Sequence, residues 1–365
     1  MNRGGKQPSA IFAKWFYMGG SIMNDVSRSV FVFGSPCNNN YGKVVFLPNG
    51  QLYGYRHENE HAWRMEGEEL CLLNIHGQVS SRYHHVGNGW AGTVEGRKYP
   101  LYLTPLITTA ACQTPGLPPV MVNTIPKAGT YYVEAALKAA GCPSHRLHLG
   151  GEDVVDDYRG LPDERVHIMP ETLRLYCPLD LVTATLQGGH VVAHCDFQHI
   201  IDHVRGQGVV VLSVVRNLRD IIKSMFRFLL YMIPPEPEDF LGQFWRAQEG
   251  DARVAAFLAV EHERGLEHVR QMARMILADT SPQSIVLRYE SLKQGDLQPH
   301  NIEKLQAINP EFTQRLSAAF VQTYGARTPT FSGEARQQPD PWCDVFEAYF
   351  HKSGMADLNA QLGYA

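Results

Sequence analysis

Apolar and polar positions follow two rhythms along the chain, and the change between them falls near Pro118. From about Ser29 to Leu106 the apolar residues come in short runs cut by turn residues. "KVVFL" gives way to "PNG" and then "QLYGY"; "LCLLNI" gives way to "HGQ" and then "VSSRYHH". Asn49-Gly50 is a strong tight-turn signal and His76-Gly77 a weaker one. The pattern predicts an antiparallel meander, a small sandwich or an incomplete barrel. From about Pro118, the apolar runs "PVMVNTI", "HVVAH" and "VVVLSVV" alternate with long stretches of helical period. That alternation predicts an α/β fold, a parallel β-sheet flanked by helices. "TTAACQTPGLPP", with its prolines and Gly116, is the natural linker. The expected division is a leader over 1–28, a small antiparallel all-β domain over 29–110, and an α/β domain over 118–365.

Composition narrows the function classes. The chain has 365 residues, 44% of them hydrophobic and 19% charged, enough for a sizeable core in one large and one smaller domain. A formal charge of -4 removes the reason to expect wholesale binding to nucleic acid or an acidic membrane. The seven cysteines are scattered and form no C-x-x-C pair, which argues against a disulfide framework and a zinc site and for a reduced, cytoplasmic setting. Lys14 breaks "AIFAKWFYM", so neither a signal peptide nor a transmembrane anchor is expected, and Met23 is a second candidate start.

The chemistry concentrates in two stretches. In "VMVNTIPKAGTYYVEAALKAAG", Pro126 stops a buried strand and Thr130 opens a helix whose inner face uses Val133, Ala136, Leu137 and Ala140, with Gly141 as its stop. Unpaired amides at that helix start, beside Lys127, make an anion site, and a plain strand-to-helix turn is the bland alternative. The ATP-binding pattern G-x-x-x-x-G-K-[ST] is absent. The second stretch, "GVVVLSVVRNLRDIIKSMFRF", is a strand with Arg216 at its carboxyl end, where ligands of open α/β sheets gather, and a helix carrying Ser224. Arg216 has a planar fork suited to a second phosphate.

Pro-Lys-Ala-Gly-Thr after a first strand, followed later by Arg216-Asn217-Leu218-Arg219-Asp220 and Ser224, resembles the sulfotransferase family that uses 3′-phosphoadenosine 5′-phosphosulfate (PAPS) as donor. "SIVLRYESL", with Tyr289, Glu290 and Leu292, resembles the family's late strand, and "LNAQLGY" its common ending. The resemblance covers most of the chain from Val120 onward. It implies a P-loop sulfotransferase fold in which Lys127, Ala128, Gly129 and Thr130 cradle the 5′-phosphosulfate, while Arg216 and Ser224 clamp the 3′-phosphate. The chain departs from the pattern at Tyr131, where a second Thr is usual, and at Tyr132, where Trp is usual. Tyr132 is therefore read either as an adenine-stacking surface or as a residue packed on the sheet. Arg-Asp-Pro becomes Arg216-Asn217-Leu218, and the late glycine-rich loop is reduced to Ser332, Gly333 and Arg336.

Sulfuryl transfer needs a base near neutral pH. "GGHVVAHCDFQH" offers a strand with His190 at its start and His194 at its carboxyl end, and only His194 lies where the ligand crevice is expected. The resemblance places a basic His at the same point, and the alternative is a His that caps the sheet. His199 and His203 are read as surface or helix-packing residues, and no recognised metal set is completed. Glu152, Asp153, Asp156 and Asp157 form an acidic patch, either a solvated loop or the runner-up source of a base. Segments 143–188 and 231–275 are expected to wall the acceptor site; core packing is the expected role of Tyr231, Phe244 and Trp245, with stacking on a sugar or aromatic acceptor as the alternative. "FLPNGQLYGYRHENEHAW" resembles an accessory β module found beside bacterial carbohydrate-modifying enzymes. With the aromatics Tyr53, Tyr55, Trp63 and Tyr83, it points to a saccharide or glycan acceptor, of the capsular or lipopolysaccharide kind; an architectural module is the alternative. The rival functions are a P-loop kinase-like transferase and a non-catalytic glycan-binding protein with a decayed sulfotransferase domain.

Overall fold

The computed structural model describes residues 26–108, 116–150, 154–158, 174–176, 179, 182–183, 186, 188–326, 328 and 339–364, less 28, 39, 48, 56, 88, 234 and 236. The chain divides into two compact units, 1–108 and 109–365. The leader, Glu152 and Asp153 of the acidic patch, and Ser332, Gly333 and Arg336 lie outside the described residues.

The first unit is an eight-stranded antiparallel sheet that winds in chain order. Its strands are β1 (Ser29–Gly34), β2 (Gly42–Phe46), β3 (Leu52–Gly54), β4 (Ala62–Glu66), β5 (Glu69–Leu73), β6 (Val79–Val86), β7 (Gly89–Val94) and β8 (Pro100–Thr108). Each strand pairs with its neighbour in sequence from β1 to β3 and from β4 to β8, and β8 returns to pair with β1. A bridge between Gln51 and Ala62 joins β3 to β4 and brings the sheet close to a barrel. The Trp63 amide donates to Gly50 O and its indole N–H to Leu47 O, each at 2.8 Å, so the Asn49-Gly50 turn is part of that seam. Gly50 has φ 81°, the left-handed geometry such a turn requires. Period-two alternation puts Phe31, Phe33, Val44, Phe46, Leu70, Leu72, Leu101 and Leu103 into one core with Trp63 and Tyr83. Trp63 and Tyr83 are therefore interior packing; Tyr53 and Tyr55 are half-buried.

The second unit carries a seven-stranded sheet: β9 (Val120–Thr124), β10 (Ser144–Leu149), β11 (Val154–Asp157), β12 (Arg174–Tyr176), β13 (His190–Ala193), β14 (Val210–Val215) and β15 (Ile285–Arg288). Its order is β12-β11-β10-β13-β9-β14-β15. The expectation of a parallel sheet needs correction, because the sheet is mixed. β10, β13, β9, β14 and β15 are parallel, and β11 and β12 add antiparallel to the edge. "VVDD" and "RLY" are too short and too polar to announce edge strands in sequence.

β9, β13 and β14 are buried along their length and β10 and β15 in part, and helices pack on the sheet. After β9 the chain enters α1 (Thr130–Ala139) and β13 is followed by α2 (Gln198–Gly206). β14 leads into α3 (Leu218–Tyr231), then α4 (Phe240–Ala247), α5 (Gly250–Glu261) and α6 (Gly265–Ala278). β15 leads into α7 (Tyr289–Leu292), α8 (Pro299–Ile308), α9 (Pro310–Thr323), α10 (Asp344–Lys352) and α11 (Met355–Gln361). Strand order reverses at β9: the chain runs out to β13 and β10 on one side and to β14 and β15 on the other. A crevice opens at such a switch point, beyond the carboxyl ends of the strands.

α3 illustrates how sequence aims side chains at that crevice. Leu218, Ile221, Ile222, Met225 and Phe226 recur at helical spacing and are buried. Phe226 packs edge-to-face on Phe257 and Phe346 and tilted on Trp245, in one aromatic cluster. Trp245 is core, as expected, but Tyr231 and Phe244 are 53% and 57% exposed, which overturns the packing role expected for them. No described helix is long and apolar enough to cross a membrane.

Candidate active site

A cavity of about 620 Å³ lies at the carboxyl ends of β9, β13, β14 and β15. Of the residues singled out from the sequence, it gathers Lys127, Gly129, Thr130, Tyr131, Tyr132, His194, Arg216 and Ser224. Ala128 is the exception. Its side chain is fully buried and its amide donates to Ile125 O at 2.9 Å, so it shapes the loop without facing the cavity.

The loop after β9 is held in an unusual backbone. Lys127 has φ 69° and Gly129 φ 98°, both left-handed. Gly129 needs to be glycine for a second reason, since a Cβ there would lie 2.5 Å from the Tyr289 ring. The Thr130 hydroxyl meets that of Thr124 at 2.6 Å, which ties the helix start to the strand end. Being in the first turn of α1, the Thr130 and Tyr131 amides have no acceptor within the helix and point out of its N-terminus.

Two cations share this corner. Arg216, just past β14, donates from Nη1 to the Lys127 carbonyl at 3.1 Å, and its guanidinium lies 4.7 Å from the Tyr289 ring centre. Its Nε is buried with no hydrogen-bond partner. The Lys127 ammonium rests 3.4 Å from the centre of the Phe228 ring. Burial, and then the Arg216 charge, push the Lys127 pKa down from 10.5 to about 7. Among the described residues neither cation forms an ion pair with a carboxylate. Ser224, on the next helix, is half-buried in the same wall with Lys223 and Arg227. Lys223 is already paired, to Asp220 at 3.0 Å and Asp340 at 3.3 Å.

His194 follows β13 directly. Its Nδ1 lies 2.6 Å from the Thr124 carbonyl, an acceptor only, so Nδ1 carries the proton and Nε2 keeps a lone pair. Asn123 anchors this segment: its amide donates to Cys195 O at 3.0 Å and accepts from the Cys195 amide at 2.8 Å. The His194 ring packs against His148 with centres 4.6 Å apart, and His148 Nδ1 is 3.2 Å from the Tyr158 hydroxyl. Burial lowers His194 well below 6.5, with the neighbouring His148 adding to the effect, and lowers His148 to about 4. Both imidazoles are therefore neutral at pH 7, and the lowering makes His194 a weaker base than the near-neutral one expected from the sequence.

Of the remaining sequence candidates, His190, His199, His203 and Asp156 stand apart from the cavity, and Tyr132 lines it. His190 is fully buried at the start of β13, where its Nδ1 donates to Cys142 O at 3.0 Å. His199 and His203 are exposed on α2. Asp156 is buried within β11, opposite His148 in register, and does not line the cavity. Tyr132 is 8% exposed, and its hydroxyl donates to Phe320 O at 2.7 Å and Leu292 O at 3.1 Å. Its ring packs edge-on against Tyr289 and Tyr324, so packing accounts for it.

Several site residues were not legible beforehand: Asn123, His148, Tyr158, Phe228 and Glu261. Glu261 is a buried carboxyl in the cavity wall, raised above its usual pKa by burial. The C-terminal "LNAQLGY" braces the Arg216 turn from behind. Asn359 accepts from the Leu218 amide at 2.8 Å, and the Tyr364 hydroxyl donates to Glu290 at 2.7 Å, while Glu290 accepts from the Asn217 amide at 3.2 Å. Among the described residues no three His, Cys, Asp or Glu side chains are grouped to hold a metal ion.

No family model matches the chain, and no curated protein sequence matches it. Among solved structures, it is similar to the crystal structure of mouse sulfotransferase SULT7A1 complexed with PAP. The identity is 12%, the match covers 66% of this chain and 82% of that one, and the TM-score is 0.35. At those values nothing about ligands passes from one protein to the other.

Proposed function

We propose that the chain is a PAPS-dependent sulfotransferase, moving the sulfuryl group to a hydroxyl of a saccharide or glycan. The observation that carries this reading is the pair of cations, Lys127 and Arg216, placed side by side at adjoining strand ends with no ion pair to a carboxylate among the described residues. Such an arrangement is unfavourable until an anion arrives. The orphaned Arg216 Nε and the open helix start of α1 supply hydrogen-bond donors for that anion. Ser224, on the cavity-facing side of α3, extends the donor set to a second phosphate. In this reading a nucleotide with phosphates at both its 5′ and 3′ positions meets Lys127 and the α1 start with its 5′ group, and Arg216 and Ser224 with its 3′-phosphate.

In this reading the acceptor hydroxyl gives its proton to His194 Nε2 as its oxygen bonds to sulfur. The bond from sulfur to the bridging oxygen of the 5′-phosphate breaks, and the Lys127 ammonium neutralises the charge left on that oxygen. Catalysis is then positioning plus electrostatic stabilisation. The saccharide acceptor rests on the resemblance of residues 46–63 to modules beside carbohydrate-modifying enzymes, and the cytoplasmic setting rests on cysteine usage.

The test is transfer from sulfur-labelled PAPS to a panel of glycans. Label should move to at least one glycan, and His194→Ala should remove transfer while leaving binding of 3′,5′-adenosine diphosphate (PAP) intact. Undiminished transfer by that variant removes His194 from the mechanism. Donor binding with no transfer to any glycan favours a binding protein.

A further inference from the structure

Among the described residues the Lys127 ammonium packs on an aromatic ring, with the Arg216 charge nearby. Its nitrogen lies 3.4 Å from the centre of Phe228, closer than any other cation–ring contact among the described residues. Phe228 lies one turn beyond Ser224 on α3, and its ring lines the same cavity. The Lys127 backbone is pinned meanwhile, because its carbonyl accepts from Arg216 and its φ is 69°. The side chain can therefore leave the ring without the loop moving. A ring face attracts an ammonium more strongly where water is scarce. Here it is the group that offsets the cost of burying a charge next to Arg216.

We infer that Phe228 is a positioning residue that docks the Lys127 ammonium in the donor-free protein and must release it when the 5′-phosphosulfate binds. The ring stands in for the anion. It holds the lysine out of the cradle, and it competes with the donor for the same ammonium. Phe228 thereby lowers donor affinity while protecting the site before the donor arrives. This inference rests on the sulfotransferase reading for the identity of the donor, but the docking contact itself does not.

Two measurements separate the parts. Calorimetric titration with PAP should show tighter binding to Phe228→Leu than to wild type, by roughly fivefold if a partly desolvated contact is lost. Phe228→Tyr, which keeps the ring, should match wild type. In a Lys127→Met background the Phe228→Leu gain should vanish, an outcome that a packing role cannot produce. Weaker or unchanged binding by Phe228→Leu, or a gain that persists without the lysine, overturns the inference. In the second measurement the lysines are reductively methylated with an isotope label and followed by NMR. The Lys127 signal should sit upfield in the ring current of Phe228, lose that shift in Phe228→Leu, and lose it again on adding PAP. An upfield signal that stays in place while PAP binds sinks the release step and leaves the nucleotide reading standing, whereas no PAP binding at all sinks both. PAP binding without any upfield signal leaves the nucleotide reading standing and removes Phe228 from it.

Discussion

Replacing Lys127 by Met should stabilise the donor-free protein while removing any turnover. The lysine titrates near 7 in the fold and near 10.5 in the unfolded chain, because burial and Arg216 both oppose its charge. Between those values the unfolded state binds the extra proton, so stability falls as pH drops from 10.5 to 7 and is flat below. The full difference corresponds to roughly 5 kcal/mol. Lys127 as a residue is only half-buried, and solvent screening cuts that figure to about 2 kcal/mol. For a unit of this size the expected rise in Tm is roughly 4–8 °C. Thermal unfolding of both proteins at pH 7 and again near pH 10 reads the effect directly. The variant should melt higher at pH 7, and the gap should close towards pH 10. A variant that melts lower, or a gap indifferent to pH, refutes the claim that Lys127 is a strained, anion-seeking charge.

Asn123→Ala removes both bonds that hold the Cys195 backbone, so it should cost about 2–3 kcal/mol in urea unfolding and depress kcat by displacing His194. Normal kcat in a folded variant removes Asn123 as the anchor of His194. His190, buried and lowered from 6.5 to about 4, stays neutral in the fold while the unfolded chain protonates. Its contribution to stability is intact above pH 6.5 and is lost as pH falls to about 4, by roughly 3 kcal/mol, so His190→Asn should flatten the acid limb of a Tm profile. An acid limb of unchanged steepness contradicts this. Gly129→Ala meets both a left-handed φ of 98° and the Tyr289 ring, and should lower Tm and abolish PAP binding together. Wild-type PAP affinity in that variant contradicts the fit of loop to ring.

The sequence carried much of this arrangement and missed the parts that depend on distant contacts. Val210–Val215 and Val120–Thr124 are predominantly apolar runs, so their burial as central strands was readable, and Arg216 and Lys127 follow from where those strands stop. The α3 stripe was readable for the same reason, with buried residues at 218, 221, 222, 225 and 226. Edge strands β11 and β12 were not, because three or four polar-leaning residues carry no period. Asn123 looked like one polar residue in an apolar strand, and its partner lies 72 residues away. His148 and Tyr158 are joined across an antiparallel edge that the sequence did not announce. Phe228 has the signature of ordinary core; only the fold brings Lys127 over its ring. Trp63 and Tyr83 show the opposite limit, since aromatic residues suited to a glycan surface turn inward to fill the β unit.

The two-ended clamp stands or falls on one titration. PAP, ATP and adenosine 5′-monophosphate are each added to wild-type protein and to Arg216→Ala in a calorimeter. The account predicts micromolar binding of PAP and at least about hundredfold weaker binding of the other two, with the preference for PAP lost in Arg216→Ala. Tight binding of ATP in place of PAP, or a preference that survives without Arg216, contradicts it.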